Sequence, residues 1–362
     1  MKHENLHKIY RNPERPLPSS IKIVIYSSIG KQASAGNIQY NNNTVDYTGN
    51  CPEYTVRYLP VNFYKIWRPL MDLLLREQLK PEARILEFGC GPGTTTFGFI
   101  EFYRLLAEEN PNTVFSIEFY LIEKESDFIS ILKEIWTSYI HEIPENLKVM
   151  LRPVNIDMDR FLQNISYFGK FDYIMESNLL NVSEKIGEET IRKLLRSISS
   201  ELLNKHSSVI LIEPSDPAHR KWLPAARNIM QQYGMTVYSP CFCSQERCTQ
   251  KIHSHIDIKA VRDDNRTGDK HSFEYLVLRN DDLRKYECFN NKYPLSGFAQ
   301  HIGEYVSFKA FIICAVNKEK KLRLKICDGS IESNKDMWYN LPKIYITEDE
   351  NDYLNTGCGC II

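Results

Sequence analysis

Long apolar runs are missing from this sequence of 362 residues. No stretch approaches the roughly 18 apolar residues that a membrane span requires, and Met1-Lys2-His3-Glu4-Asn5 opens the chain without the apolar centre of a secretory signal. The expectation is a cytoplasmic protein, or one inside an organelle, with no membrane partner. Charge of one sign is equally scarce: 45 Lys and Arg stand against 46 Asp and Glu, a net charge of -1. That balance excludes a protein that coats nucleic acid through a bulk basic excess, while leaving a local basic face open. Ten cysteines are too few for a disulfide scaffold in a chain this long. Internal repeats, low-complexity tracts and heptads are also lacking, which excludes solenoids and coiled coils.

Glycine is used sparingly, 16 in all, yet three fall within Leu86-Glu87-Phe88-Gly89-Cys90-Gly91-Pro92-Gly93-Thr94. Ile85, Leu86 and Phe88 read as the end of a buried strand, and Thr94 to Glu109 as the helix that follows. Glycines at such a junction let the backbone approach a ligand with no Cβ in the way. A dinucleotide fingerprint places its third glycine one residue later, before a helix N-terminus that holds a pyrophosphate. Here the spacing differs, and Glu87 would repel a pyrophosphate while facing the cationic end of S-adenosyl-L-methionine. That molecule is the expected cofactor, held by Glu87, Gly89, Gly91, Gly93 and Thr94. The competing expectation for an isolated glycine cluster is a plain tight turn.

Residues 1–55 mix prolines, a β-like run from Ile21 to Tyr26 and a polar Gly/Asn-rich stretch, which reads as an arm or small cap. A helix with Leu70, Leu73, Leu74 and Leu75 is expected next. Beyond the glycine turn, strand and helix signals alternate. Strands are predicted at 114–122, 148–154, 173–176, 208–212, 235–238 and 273–278, and helices at 125–140, 159–164, 188–203 and 220–233. Such alternation predicts a doubly wound, Rossmann-like α/β sheet over 56–282, with parallel strands. From about Asp282 the helical pattern fades. Residues 283–362 are expected to form a small C-terminal β domain, with strands at 306–316 and 322–326.

In a doubly wound sheet the ligand lies across the carboxyl ends of the strands, so each strand end is a place to look for chemistry. Glu123, ending Phe119-Tyr120-Leu121-Ile122, is placed to accept hydrogen bonds from both ribose hydroxyls; a solvated charge beside Lys124 and Glu125 is the alternative. Asp157, in Asn155-Ile156-Asp157, suits the adenine amino group while Ile156 packs on the ring, or else Asp157 or Asp159 caps a helix. Glu176-Ser177-Asn178 closes the fourth strand, where a methyl group would face its acceptor, and Glu176 is expected among the cofactor-binding residues. The Asn/Asp-Pro-Pro-aromatic pattern of many base-directed amino methyltransferases is absent there, and no catalytic base can be named. Methyl transfer needs mainly alignment. Glu213-Pro214-Ser215-Asp216-Pro217 ends the fifth strand and reads as a structural turn.

A second constellation is Pro240-Cys241-Phe242-Cys243-Ser244-Gln245-Glu246-Arg247-Cys248, followed by His253 and His255. Closely spaced thiolates let one loop wrap Zn2+ or an iron-sulfur cluster at little closure entropy. Cys241, Cys243 and Cys248 are local; a fourth ligand would come from His253, His255, Cys288 or Cys314. Unligated buried thiols are the alternative. The terminal Cys358-Gly359-Cys360-Ile361-Ile362 does not fit a prenylation signal, because Gly359 stands where the cysteine is required.

Together these segments resemble the methyltransferase-like family of small-ribosomal-subunit assembly proteins of mitochondria and bacteria, within the class I S-adenosylmethionine-dependent methyltransferases. The elements that carry the resemblance run from Arg57 to Cys314. They are Arg57-Tyr58-Leu59-Pro60, Leu86 to Thr94, Ile212 to Pro217 with Arg227 downstream, Tyr238-Ser239-Pro240-Cys241, and Phe273-Glu274-Tyr275-Leu276-Val277-Leu278. The resemblance implies a 4Fe-4S cluster with Cys241, Cys248 and the distant Cys314 as ligands. Cys243 or a histidine such as His255 would complete the set in this chain, where the family has a Cys-His pair. It also implies RNA, or a ribosomal subunit, as partner and methyl acceptor. A non-catalytic binding factor, or a methyltransferase for small molecules or proteins, are the competing expectations.

Overall fold

A computed structural model of the chain describes residues 1–11, 14–33, 50–74, 77–180, 187–215, 222–239, 256–261, 267–283, 300–305 and 308–312. The chain opens with α1 (Glu4–Arg11), the short strand β1 (Glu14–Arg15) and α2 (Ser19–Ile23), which continues as a wider helical segment over Val24–Ile29 and then α3 (Gly30–Ala33). The β-like reading of residues 21–26 is therefore corrected. Ile21, Val24, Ile25 and Ile29 are buried while Ile23 is 63% exposed; this three-and-four spacing is the helical period, and strand alternation would have exposed Val24. The N-terminal arm is fastened to the body by Glu109, whose carboxylate accepts from the amides of Asn5 (3.0 Å) and Leu6 (2.5 Å) at the start of α1. These amides have no partner within their own helix.

Helices α4 (Cys51–Asn62) and α5 (Trp67–Leu74) lead to strand β2 (Glu82–Phe88) and α6 (Thr94–Glu109). The units β3 (Phe115–Glu123) with α7 (Ser126–Tyr139) and β4 (Leu147–Asn155) with α8 (Met158–Gln163) follow. Next come β5 (Phe171–Ser177) with α9 (Glu188–Ser197) and β6 (Leu203–Pro214) with α10 (Trp222–Gln232), then the strands β7 (Thr236–Ser239), β8 (Ile256–Val261) and β9 (Thr267–Arg279). Among the described residues nine strands form one sheet in the order β1-β8-β9-β6-β5-β2-β3-β4, with β7 paired to β9. β2 to β6 are mutually parallel; β9 runs antiparallel between β6 and β7. The expectation of a parallel sheet thus holds for five strands and is corrected at β9. β9 pairs with β6 in the opposite direction, with Pro214 opposite Phe273. β8, in a stretch where no strand is predicted, pairs with β9 and with β1.

Hydrophobic clusters fill both faces of the sheet. One contains Ile85, Phe119, Met175 and Ile210 under α5, α6 and α7; the other contains Leu86, Ile174, Val209 and Leu276 under α8, α9 and α10. Strands buried on both faces read as continuous apolar runs, which is why their positions were legible in the sequence. Helix α6 is packed tightly against the chain before α5: a Cβ on Gly98 would stand 2.1 Å from the Phe63 carbonyl oxygen. That contact leaves room only for glycine. Trp67 Nε1 donates to the Gly98 carbonyl at 2.8 Å, closing the same joint. Farther along, β10 (Gln300–Tyr305) and β11 (Phe308–Ile312) form an antiparallel hairpin. β11 lies within the expected 306–316 strand, β10 precedes it, and 322–326 lies outside the described residues.

Candidate active site

The glycine turn sits between the end of β2 and the start of α6, at the carboxyl edge of the parallel strands. Gly89, Gly91 and Gly93 take φ values of 62°, 54° and 85°, a region that costs an L-residue about 1–2 kcal/mol. Gly89 N donates to Ile122 O at 2.9 Å and Gly93 N to Cys90 O at 2.9 Å, so the turn is tied to the neighbouring strand and to itself. A Cβ on Gly93 would lie 2.7 Å from Phe97 Cε2, whereas one on Gly91 would meet nothing within 4 Å. Open space over Gly91 is where a ligand can approach the backbone.

Three carboxyl groups surround this turn. Glu87 is buried and accepts from the Thr96 hydroxyl in the first turn of α6. Burial pushes its carboxyl up to about 8, against the opposing hydrogen bonds from Thr96 and Thr95. Glu123, at the end of β3, accepts from Gly91 N at 2.9 Å through Oε2 and from Glu125 N at 3.0 Å through Oε1. Desolvation raises its pKa as well. A carboxylate has about four lone-pair directions, so two backbone bonds leave capacity for a ligand. The third, Glu176, is buried beneath the loop that follows β5: its Oε2 accepts from Leu179 N at 3.1 Å, and its Oε1 is enclosed.

Asp157 follows β4 and caps α8, accepting from Arg160 N at 2.8 Å through Oδ1. Its side chain is 52% exposed, with Oδ2 3.9 Å from Arg160 Nε. The capping alternative is therefore what the residue does locally, and one oxygen remains on the outside. Thr94 opens α6 directly after Gly93. The structure accordingly brings Glu87, Gly89, Gly91, Gly93, Thr94 and Glu123 together, sets Asp157 at the next strand end, and places Glu176 under the adjoining loop. Cys241, Cys243, Cys248, Cys314 and His255 lie outside the described residues. Among the described residues no group of His, Cys, Asp and Glu has the arrangement of a metal site, and no helix is long and apolar enough to cross a membrane.

Sequence reading missed two features. Glu213, read as part of a turn, is buried and accepts from Leu180 N at 2.7 Å. Lys65 is buried between α4 and α5, and desolvation lowers its pKa to about 8 despite the attraction of Glu213. Its ammonium lies 5.5 Å from the centre of the Phe273 ring. An isolated lysine in an aromatic run, Phe63-Tyr64-Lys65-Ile66-Trp67, was the available signal.

Five adjacent parallel strands, an antiparallel strand beside them and a glycine turn after β2 make a doubly wound, Rossmann-like α/β sheet. No family model matches the chain. It is 29% identical over 166 residues to polyketide synthase 27 of Dictyostelium discoideum, covering 42% of this chain and 6% of that protein. Polyketide synthase 10 of the same organism is 28% identical over 155 residues, 41% of this chain and 6% of its own length. The chain thus spans about one-twentieth of the length of these curated relatives. Among solved structures, an S-adenosylmethionine-dependent methyltransferase from Clostridium acetobutylicum aligns at a TM-score of 0.38 and 11% identity, over 65% of this chain and 99% of that one. The glycopeptide N-methyltransferase MtfA complexed with S-adenosyl-L-homocysteine aligns at 0.35 and 11%, over 69% and 95%.

Proposed function

We propose that this chain binds S-adenosyl-L-methionine and transfers its methyl group to a small-molecule acceptor. The observation that carries the reading is the glycine turn with open space over Gly91, backed by the Glu87 carboxyl beneath it and the Glu123 carboxyl behind it. Glu87 meets the ammonium group of the cofactor, the backbone of Gly89, Gly91, Gly93 and Thr94 lies along it, Glu123 takes the ribose hydroxyls, and Asp157 takes the adenine amino group. A cationic cofactor suits this edge, because each buried carboxyl is destabilised in its charged form until a positive group arrives. When bound, the cofactor supplies an electrophilic methyl group on a sulfonium. The chain's own task is alignment and exclusion of water.

A small acceptor is favoured by the near-even charge of the chain and by the polyketide synthase segments to which it is similar. The RNA or ribosomal acceptor rests on the family resemblance of the sequence alone. Salt separates the two: an RNA complex weakens steeply with added salt through counterion release, and small-molecule transfer does not. A zinc or iron-sulfur site at Cys241, Cys243, Cys248 and Cys314, with His255, rests on the close spacing of the cysteines and, for the cluster, on the same resemblance. Metal analysis of anaerobically purified protein tests it.

Calorimetry with S-adenosyl-L-methionine tests the central reading. Wild type should bind and Gly91→Arg, which fills the open space, should not. Equal binding by both would remove the cofactor from this turn. Production of S-adenosyl-L-homocysteine with small-molecule acceptors, insensitive to added salt, and none with RNA is the expected acceptor result.

A further inference from the structure

Two carboxyl groups from adjacent strands are fastened by consecutive backbone amides. Asn178, at φ 59°, donates its N–H to Ile212 O at 2.9 Å. The turn so formed aims Leu179 N at Glu176 Oε2 (3.1 Å) and Leu180 N at Glu213 Oε1 (2.7 Å). The same turn leans on the glycine loop: Leu179 Cδ1 lies 3.0 Å from the position a Cβ would take on Gly89. Both carboxyl groups are buried, Glu176 at 4% exposure and Glu213 at 1%.

Glu176 Oε1 is enclosed with no hydrogen-bond donor directed at it, and the Glu213 carboxyl, held by the next amide of the same turn, is close enough to act on the ionisation of Glu176. Two carboxylates are acceptors only, so a bond between them exists only while one carries a proton. Two adjacent charges in a buried setting are strongly unfavourable, and sharing one proton relieves them.

From this geometry we infer that Glu176 and Glu213 share one proton and act as positioning residues, holding Leu179 against the glycine turn so that the turn is shaped for the cofactor. The inference rests on the S-adenosylmethionine reading of that turn. Burial raises the Glu176 carboxyl above the usual carboxylate range, so the pair keeps its proton in mild acid and gives it up as pH rises. The charged neighbours are Glu274 on β9, opposite Glu213 in register, and Lys65 from the α4–α5 turn, attracted by Glu213. Above neutrality a second negative charge on the pair pushes the two carboxylates apart and loosens the Leu179–Leu180 turn.

The test is calorimetry with S-adenosyl-L-homocysteine on wild type, Glu176→Gln and Glu176→Ala, at pH 6 and pH 8.5. Glu176→Ala, which loses the bond to Leu179 N and the contact with Glu213, should bind about tenfold more weakly at pH 6. Glu176→Gln, which mimics the protonated carboxyl, should bind within about threefold of wild type at pH 6. At pH 8.5 it should bind the tighter of the two by about tenfold, because its amide cannot ionise. Comparing the two proteins at each pH cancels ionisation of Glu87, which both retain. A Gln variant as weak as Ala at pH 6, or a wild-type-to-Gln ratio that does not change with pH, would overturn the inference. If the Ala variant fails to fold by circular dichroism, the Gln ratio decides alone. Absence of binding by wild type would instead overturn the cofactor reading, and this inference with it.

Discussion

Gly91 donates its backbone N–H to Glu123 Oε2 over 2.9 Å, tying the middle glycine of the turn to the carboxyl at the end of the neighbouring strand. The bond spans β2 and β3 at the edge where both strands stop, and it sets where the open side of the turn faces. Glu123→Ala should leave the sheet intact and weaken S-adenosyl-L-methionine binding by about tenfold to a hundredfold, through loss of a charge-assisted bond. Calorimetry checks this, and unchanged affinity would show that Glu123 has no part in the site.

The joint between α6 and the chain before α5 admits no side chain at Gly98, where a Cβ would lie 2.1 Å from the Phe63 carbonyl oxygen. Backbone on both sides leaves nothing flexible to yield. Gly98→Ala should therefore destabilise the protein by about 3 kcal/mol, at the upper end of overpacking costs, despite alanine's better helix propensity. A thermal midpoint equal to wild type would contradict the packing described.

Stability without ligand should fall with rising pH across neutrality. Burial raises the Glu87 carboxyl from 4.5 to about 8, so the folded state holds a proton that the unfolded chain has released. Stability from this group is full below about 4.5 and is lost as pH rises towards 8. Glu176, raised by burial above the usual carboxylate range, acts in the same direction. Thermal midpoints should be higher at pH 6 than at pH 8.5, with a smaller difference in Glu87→Gln. A difference as large in Glu87→Gln would exclude Glu87 as a source of it.

The same shift links the cofactor to protons. A cation placed beside Glu87 favours its charged form, so binding near pH 7 should release protons. Calorimetry in buffers of different ionisation enthalpy measures the release directly, and Glu87→Gln should reduce it. Proton uptake on binding would contradict the placement of the cationic group.

Glu109 accepts from the amides of Asn5 and Leu6 at the start of α1. Glu109→Ala should cost about 1–2 kcal/mol, as loss of a cap does, and open the first eleven residues to limited proteolysis. Cleavage at the wild-type rate would show that α1 is held by Leu6 packing instead.

Much of the sheet is legible in the sequence alone. Phe171-Asp172-Tyr173-Ile174-Met175 and Ser208-Val209-Ile210-Leu211-Ile212 are apolar runs bounded by turns, which suffices for strands buried on both faces. Helix α6 runs over Thr94–Glu109 as the glycine turn foretold. Ile21 to Tyr26 misled because a short apolar run carries no period of its own; burial of Ile21, Val24, Ile25 and Ile29 was decided by α7 and the segments around them. The antiparallel course of β9 was equally hidden, since direction in a sheet leaves no mark in a strand's own residues.

The sequence by itself determined the order of elements, the glycine turn with its carboxylate, and the strand ends at which Glu123, Asp157 and Glu176 stand, because these follow from local spacing and from the reach of a few residues. Only the tertiary structure decided what those groups do. It tied Gly91 to Glu123, gave Asp157 to a helix cap, and brought Glu213 beside Glu176 under one turn. Register between strands and the loss of water around a carboxyl are set by residues distant along the chain, and these two quantities govern which carboxyl groups meet and which of them keep a proton.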